Sequence, residues 1–463
     1  MAHREFAIPK QARDLAKAYR AAGHGLWLVG GWVRDALLSN AHEDMDFATD
    51  ARPEDSLKIL KKWSGMKPWT MGLQFGTVGV QEGGHRIEVT TFRAEVYRPD
   101  SRNPEVSFAD DLETDLSRRD FTINAMAVEL PDGVLADPFG GAKDLAEMRL
   151  RTPLAPEVSF SDDPLRMLRA LRFASTLKLR VDPEVLDAIS RMHDRLGIVS
   201  AERIRDELSK LLLGAAPSKA LLLATEAGLA DEFLPELPAL RLEQDPIHRH
   251  KDVFGHTLAV LDRTIAGERE GPDLALRLAA ILHDVGKPKT RAIGPRGVSF
   301  HHHEVVGADM AEARLRALRY PADLIKEVRE LVYLHLRFHT YRLGWSDTAV
   351  RRYVRDAGAL LGKLNTLVRA DCTTRNSEKA RRLSARMDQL EDRIRELAAK
   401  EQLSRLRPAL DGNEVMAHLD LPPGPVVGEA MKFLMEIRME DGEIPKEEAL
   451  SRLEDWYASR KPS

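Results

Sequence analysis

The sequence predicts an α+β fold: a small mixed sheet near the N-terminus, followed by an all-helical remainder. Two observations predict it. Strand-like stretches at residues 26–29, 72–80 and 85–92 fall early in the chain, and apolar residues alternate in the last two. Beyond residue 150 apolar residues recur at helical spacing, as in Leu165, Leu168 and Leu171. The 463 residues suffice for two to four domains and a sizeable core.

Composition narrows the class. Hydrophobic residues make up 43% and charged residues 31%, which reads as soluble and globular. No apolar run reaches membrane-spanning length, so no membrane partner is expected. The N-terminal MAHREFAIPKQARD lacks the apolar core of a signal peptide, which makes the cytoplasm the expected location. The single cysteine, Cys372, rules out an intrachain disulfide framework and fits a reducing compartment. With a net charge of −4, any nucleic-acid surface must be a local basic patch.

A helix is expected over residues 5–23, ending at Gly23. The strand at 26–29 then runs into Gly30–Gly31, a helix is expected over 32–38, and a polar link leads to Asp44-Met45-Asp46. Residues two apart in a strand share a face, so Asp44 and Asp46 are expected side by side. Two carboxylates that close repel unless a proton or a cation lies between them. Magnesium (Mg2+) suits hard oxygen ligands and keeps room for substrate phosphates. Glycines allow close backbone approach, a helix N-terminus offers N–H groups to phosphate, and Arg34 adds a charged fork. The stretch reads as a clamp for a nucleoside triphosphate on metal.

A further helix is expected over 53–63, after Pro53 starts it, and Glu88 falls on the strand at 85–92. Residues 95–109 carry two prolines and no period, which predicts a mobile loop. Residues 118–125 read RRDFTINA, and 137–141 read DPFGG.

Taken in order, the strand, Gly30-Gly31, Val33-Arg34-Asp35, the Asp44/Asp46 pair and RRDFTINA resemble the head of the class II nucleotidyltransferases, the family of tRNA CCA-adding enzymes and bacterial poly(A) polymerases. The resemblance implies a nucleotidyltransferase head over residues 1–150, with Asp44 and Asp46 as catalytic magnesium ligands. Glu88 is the candidate for a third acid brought in by a neighbouring strand. Gly30, Gly31, Arg34, Arg119 and Asp120 are implied to hold the nucleotide, and the loop at 95–109 to be needed for the final A. An Asp and an Arg can bond a 2′-hydroxyl and a phosphate together, which favours ribose over deoxyribose.

The DPFGG stretch resembles the hinge into a helical neck, expected over 151–240. There Asp162-Asp163-Pro164-Leu165-Arg166 resembles the family's EDxxR motif, with Asp162 in place of Glu. Pro164 suits a first helical turn, with an acid before it as cap. Asp163, Arg166, Arg169 and Arg172 recur every three residues and are expected on one face. The resemblance implies that Asp163 and Arg166 read the base. Cytosine and adenine both offer an amino donor beside a ring-nitrogen acceptor, which an Asp acceptor and an Arg donor complement. Uracil and guanine present the opposite order. Arg169 and Arg172 are expected at the nucleotide or in ion pairs. The later ERIRDEL at 202–208 resembles a bracing helix of the family.

From residue 241 the chain becomes rich in histidine. His256, His283-Asp284, His303, His335 and Asp371 lie in helical stretches, in an order resembling the HD phosphohydrolase domain. The resemblance implies an HD domain over 241–375 whose metal shell is His256, His283, Asp284 and Asp371, with His303 and His335 placed for a second ion. Such N and O ligands suit Ni, Co or Mn. Residues 376–463 are expected to be a helical tail that grips tRNA by shape and phosphate contacts. The function implied is CCA addition to tRNA from CTP and ATP. A poly(A) polymerase, or an HD phosphohydrolase with an RNA-binding head, are the alternatives, and addition of CC or A alone also stays open.

Overall fold

The computed structural model describes residues 6–40, 44–96, 105–109, 111–242, 252–295, 297–340, 345–372, 377–401 and 407–460. The chain divides into two compact units, one reaching to Pro238 and taking in Ala317–Arg319, the other holding Ala239–Arg316 and the residues from Tyr320 on.

The first unit holds the sheet. Its strands are β1 (Leu26–Val29), β2 (Met45–Thr49), β3 (Thr77–Glu82), β4 (His85–Thr91), β5 (Arg93–Val96), β6 (Glu105–Phe108), β7 (Ala127–Glu129) and β8 (Leu135–Ala136). Six of them form one mixed sheet in the order β3-β4-β2-β1-β7-β8, in which β2 and β4 run parallel and the other pairs antiparallel. Pleating sends alternate residues to opposite faces. Leu26 and Leu28 of β1, with Met45 and Phe47 of β2, join the larger core, against which the helices Lys10–Ala21 and Pro53–Ser64 pack. Val29 and Ala48 join a second, smaller core on the other face. Asp46 alternates with Met45 and Phe47, so it belongs to that second face and is exposed there.

Two expected elements differ. Residues 72–80 are not strand throughout, because Leu73–Phe75 form a single tight turn and β3 begins at Thr77. Gly76, at φ +75°, ends that turn in a conformation that side chains other than glycine rarely adopt. The segment expected as a loop at 95–109 is flanked by an antiparallel pair, β5 with β6, because Val96, Val106 and Phe108 suit a pleated ribbon. Its centre, residues 97–104, lies outside the described residues.

The helices Pro156–Asp162, Leu165–Thr176, Pro183–Met192, Ala201–Leu212 and Pro217–Glu226 also belong to this unit. Leu165, Leu168 and Leu171 are buried, as their stripe predicts.

The second unit is mainly helical among the described residues, and one strand pair there departs from the all-helical expectation, as the short parallel pair of Arg180–Val181 with Arg149–Leu150 does in the first unit. Residues Arg291–Gly294 and Gly297–Phe300 pair antiparallel. Near the C-terminus Val415, Ala430, Leu434, Ala449 and Leu453 make a small core of their own beneath three helices. Among the described residues no helix is long and apolar enough to cross a membrane.

Candidate active site

The end of β1 sets the first piece. Gly30 adopts φ +67° and ψ −128°, and a Cβ there would stand 3.0 Å from Nη1 of Arg119. Glycine thus satisfies both the backbone and the close approach of an arginine. The helix Gly31–Leu37 follows and carries Arg34. Arg34 gives Nε and Nη2 to both oxygens of Asp35, at 2.8 and 2.9 Å, and Nη1 to Oδ1 of Asn124 at 2.8 Å.

Asp46 lies on β2 with Asp44 just before the strand, and Glu88 lies on β4. Asp44 and Asp46 are both exposed, with Met45 buried between them, as strand alternation requires. Glu88 stands opposite Asp46 in the parallel register. Its Oε1 accepts from Nε of Arg86 at 3.0 Å. Asp46 and Glu88 line a common cavity with Arg118 and Arg119.

From Arg34 a polar chain runs on to the helices Leu165–Thr176 and Ala201–Leu212. Asn124 donates Nδ2 to Oδ1 of Asp120 at 2.9 Å. The other Asp120 oxygen accepts from Nε and Nη2 of Arg169 at 2.9 and 2.5 Å. Arg169 Nη1 continues to Glu207 at 3.3 Å, and Arg172 pairs with the same carboxylate at 3.2 Å. Asp120, Asn124 and Glu207 are buried. Burial works to raise the Asp120 carboxyl, but Arg169 and Asn124 outweigh it and hold the group at about 2.

The expected base-reading pair has defined partners. Asp163 lies just before the helix Leu165–Thr176, its Oδ1 accepting from the Leu165 N–H at 3.1 Å. Its Oδ2 accepts from Nη2 of Arg203 at 2.6 Å. Arg166 is buried and gives Nη2 to the main-chain oxygen of Arg118 at 2.6 Å and Nη1 to Oγ of Ser159 at 3.0 Å.

These residues enclose one cavity of about 380 Å³. Seven arginines line it, together with Asp46, Asp120 and Asp163. The lining arginines outnumber the lining acids, although Asp35, Asp115 and Glu207 beside the cavity also pair with them. Arg118, Asn124 and Arg203 line it and Glu207 pairs with two of its arginines, yet none of these was picked out as a site residue in the sequence. All lie inside quoted motifs, RRDFTINA and ERIRDEL, and the second of these is more than a brace. It supplies the partner of Asp163 and the shared acid of Arg169 and Arg172.

A second cluster occupies the other unit. His256, His283 and Asp371 place ligand atoms within 4.8 Å of one another, and so do Asp284, His303 and His335. His256 Nε2 lies 2.8 Å from Asp371. Asp284 faces both groups, with Oδ2 at 3.2 Å from His283 Nε2 and Oδ1 at 3.4 Å from His303 Nε2. His283, His303 and His335 each turn Nδ1 to the main-chain oxygen three residues earlier. That bond fixes the tautomer and leaves Nε2 as the free ligand atom. The three Nε2 atoms are buried without a hydrogen-bond partner, the state expected of atoms built to meet a cation. Burial pushes the His335 imidazole down to about 3, with the neighbouring His283 adding to the effect, so His335 stays neutral and able to ligate. Lys287, within the His-Asp-Val-Gly-Lys stretch, gives Nζ to Asp284 at 2.6 Å.

Three family models match the chain. The Poly A polymerase head domain matches residues 26–151, the probable RNA- and SrmB-binding site of polymerase A matches 178–240, and the HD domain matches 253–400. An A-adding tRNA nucleotidyltransferase of Deinococcus radiodurans is 34% identical, over 93% of this chain and 95% of its own. A CC-adding tRNA nucleotidyltransferase of Thermus thermophilus is 33% identical, over 94% of each. The crystal structure of the Bacillus stearothermophilus CCA-adding enzyme in complex with CTP superimposes with a TM-score of 0.70, at 26% identity and over 98% of this chain and 99% of that one. With a poly(A) polymerase head whose acids and arginines meet in one cavity, and with full-length relatives of this kind, the chain belongs to the class II tRNA nucleotidyltransferases, in a form that carries an HD domain.

Proposed function

We infer that this protein adds C, C and A in turn to the 3′ end of tRNA, taking them from CTP and ATP without a nucleic-acid template. The observation that carries this reading is a single cavity lined at once by Asp46, by Asp163 with Arg166, and by arginines. Asp44 and Asp46, with Glu88 in register, are the acids that would hold Mg2+. Bound there, magnesium would offset the charge on the phosphates and favour the ionised 3′-hydroxyl. Arg119 and its neighbours bind the triphosphate, and the Gly30-Gly31 turn lets it approach the backbone. Asp120, held by Arg169 and Asn124, binds the ribose. Asp163 accepts from the base amino group and Arg166 donates to the ring nitrogen, which admits C and A and rejects U and G.

Residues 1–150 act as the head, 151–240 as the neck, 241–375 as the HD domain, and 376–463 as the tail that grips tRNA. The HD cluster holds one or two divalent ions such as Ni, Co or Mn. It hydrolyses phosphoesters, with a 2′,3′-cyclic phosphate on a damaged RNA end as the fitting substrate.

The test supplies tRNA ending at its last encoded base with CTP alone, ATP alone and both. Two residues from CTP alone, none from ATP alone and three from both are expected. The full-length relatives give weight to a second reading, addition of CC or of A alone. That reading predicts a stop after two residues with both nucleotides present, or A added only to tRNA that already ends in CC.

A further inference from the structure

Asp115 lies on the short helix Leu112–Ser117 and has no exposure to solvent. Its two oxygens are divided between two arginines. Oδ1 accepts from Nε and Nη2 of Arg118, at 3.1 and 2.8 Å, and Oδ2 from Nη2 of Arg119, at 3.2 Å. Both arginines line the nucleotide cavity and also the neighbouring cavity that holds Asp46 and Glu88. A buried carboxylate is tolerated only when its charge is matched. Burial works to raise the Asp115 carboxyl, and the two guanidiniums outweigh it and keep the group ionised. Arg118 in turn anchors Arg166 through its main-chain oxygen.

We propose that Asp115 is a positioning residue for the triphosphate, which it never touches: it fixes the two guanidiniums of Arg118 and Arg119 where the phosphates will lie. Two effects oppose each other here. The carboxylate cancels part of the arginine charge, which weakens attraction for phosphate. It also holds two long side chains that otherwise must be ordered each time a nucleotide binds, a cost of about tenfold in affinity for the pair. The ordering effect wins, because unplaced charge in an open, hydrated cavity is screened.

The proposal rests on the nucleotidyl-transfer reading, and the experiment keeps the two apart. CTP and ATP incorporation into trimmed tRNA is measured for the whole protein, for Asp115→Asn, for Arg118→Ala/Arg119→Ala, and for the triple variant. Wild-type protein that adds no nucleotide overturns the reading itself. With addition established, Asp115→Asn is expected to raise KM for CTP and ATP alike by about tenfold, with kcat within about twofold, unchanged KM for tRNA and an unchanged C-over-U ratio. In the arginine-free background the same change should have no further effect on nucleotide KM. A KM that stays level or falls in Asp115→Asn, or a shift of equal size without the arginines, overturns the proposal. If Asp115→Asn does not fold, Asp115→Glu keeps the charge and displaces the fork by one methylene. A raised nucleotide KM at preserved Tm then supports the proposal, and an unchanged KM overturns it.

Discussion

Glu88 stands beside Asp46 in register across the parallel pair of β2 and β4, so a third carboxylate is carried to the Asp44/Asp46 pair by strand pairing alone. The three are not equivalent. Glu88 is shared with Arg86, whose Nε lies 3.0 Å away.

Asp44→Asn or Asp46→Asn should abolish addition of C and of A alike, by about a thousandfold or more, while tRNA binding persists. Glu88→Gln should cost only about tenfold, since its charge is already partly matched by Arg86. Single-turnover rates together with filter binding of tRNA check this. Near-normal addition of either nucleotide by an Asp46 variant removes the acids from the chemistry.

Arg166→Ala should relax base choice more than triphosphate binding. Losing one partner of a buried polar pair costs about 1–3 kcal/mol, or roughly tenfold to a hundredfold in the preference for CTP over UTP. Its bonds to the Arg118 oxygen and Ser159 hold the guanidinium in place, so Ser159→Ala should weaken the same preference by a smaller factor. Incorporation ratios on trimmed tRNA measure both. A wild-type ratio in Arg166→Ala assigns this arginine to packing.

Much of this site was legible in the sequence because its chemistry lies in contiguous motifs. Gly30-Gly31, the Asp44/Asp46 spacing and RRDFTINA each place their residues by local geometry. What the sequence hid were the pairings between motifs. Arg203 reaches Asp163 across 40 positions, and Arg169 reaches Asp120 across 49. No local period encodes such a contact, which forms only when helices pack. For the same reason ERIRDEL read as a brace, although Glu207 and Arg203 take part in the cavity's charge pattern. The β5–β6 pair was missed because two prolines outweighed a short alternation, and the turn before β3 because Leu73 and Phe75 alternate like a strand. The histidine cluster was legible as ligand types in order. Its arrangement as two groups sharing Asp284 required the fold.

Asp120 predicts a pH effect. Its folded value, about 2, lies below the usual carboxylate value near 4. The unfolded chain therefore binds more protons in that window, and stability rises with pH across it. The contribution, on the order of 2 kcal/mol, is fully present above pH 4 and lost as pH falls through about 2. Asp120→Asn should flatten the fall in stability between pH 4 and 2 relative to wild type. Parallel acid-unfolding curves for the two proteins contradict the buried Asp120–Arg169 pairing.

The histidine cluster predicts metal-dependent stability. Saturating Ni, Co or Mn at about a hundred times its Kd should stabilise the metal-stripped protein by about 2.7 kcal/mol, seen as a raised Tm. The double change His283→Ala, Asp284→Ala should erase that shift and any phosphoesterase activity while sparing nucleotide addition. Equal Tm with and without metal, together with no bound metal by elemental analysis, leaves the cluster structural.

The most direct test gives the purified protein tRNA that ends at its last encoded base, with all four nucleoside triphosphates at equal concentration, and sequences every product end. Ends that close on CCA, without U, G or further A, are the predicted result. Ends that stop at CC, that stay unextended, or that run into an A tail contradict it.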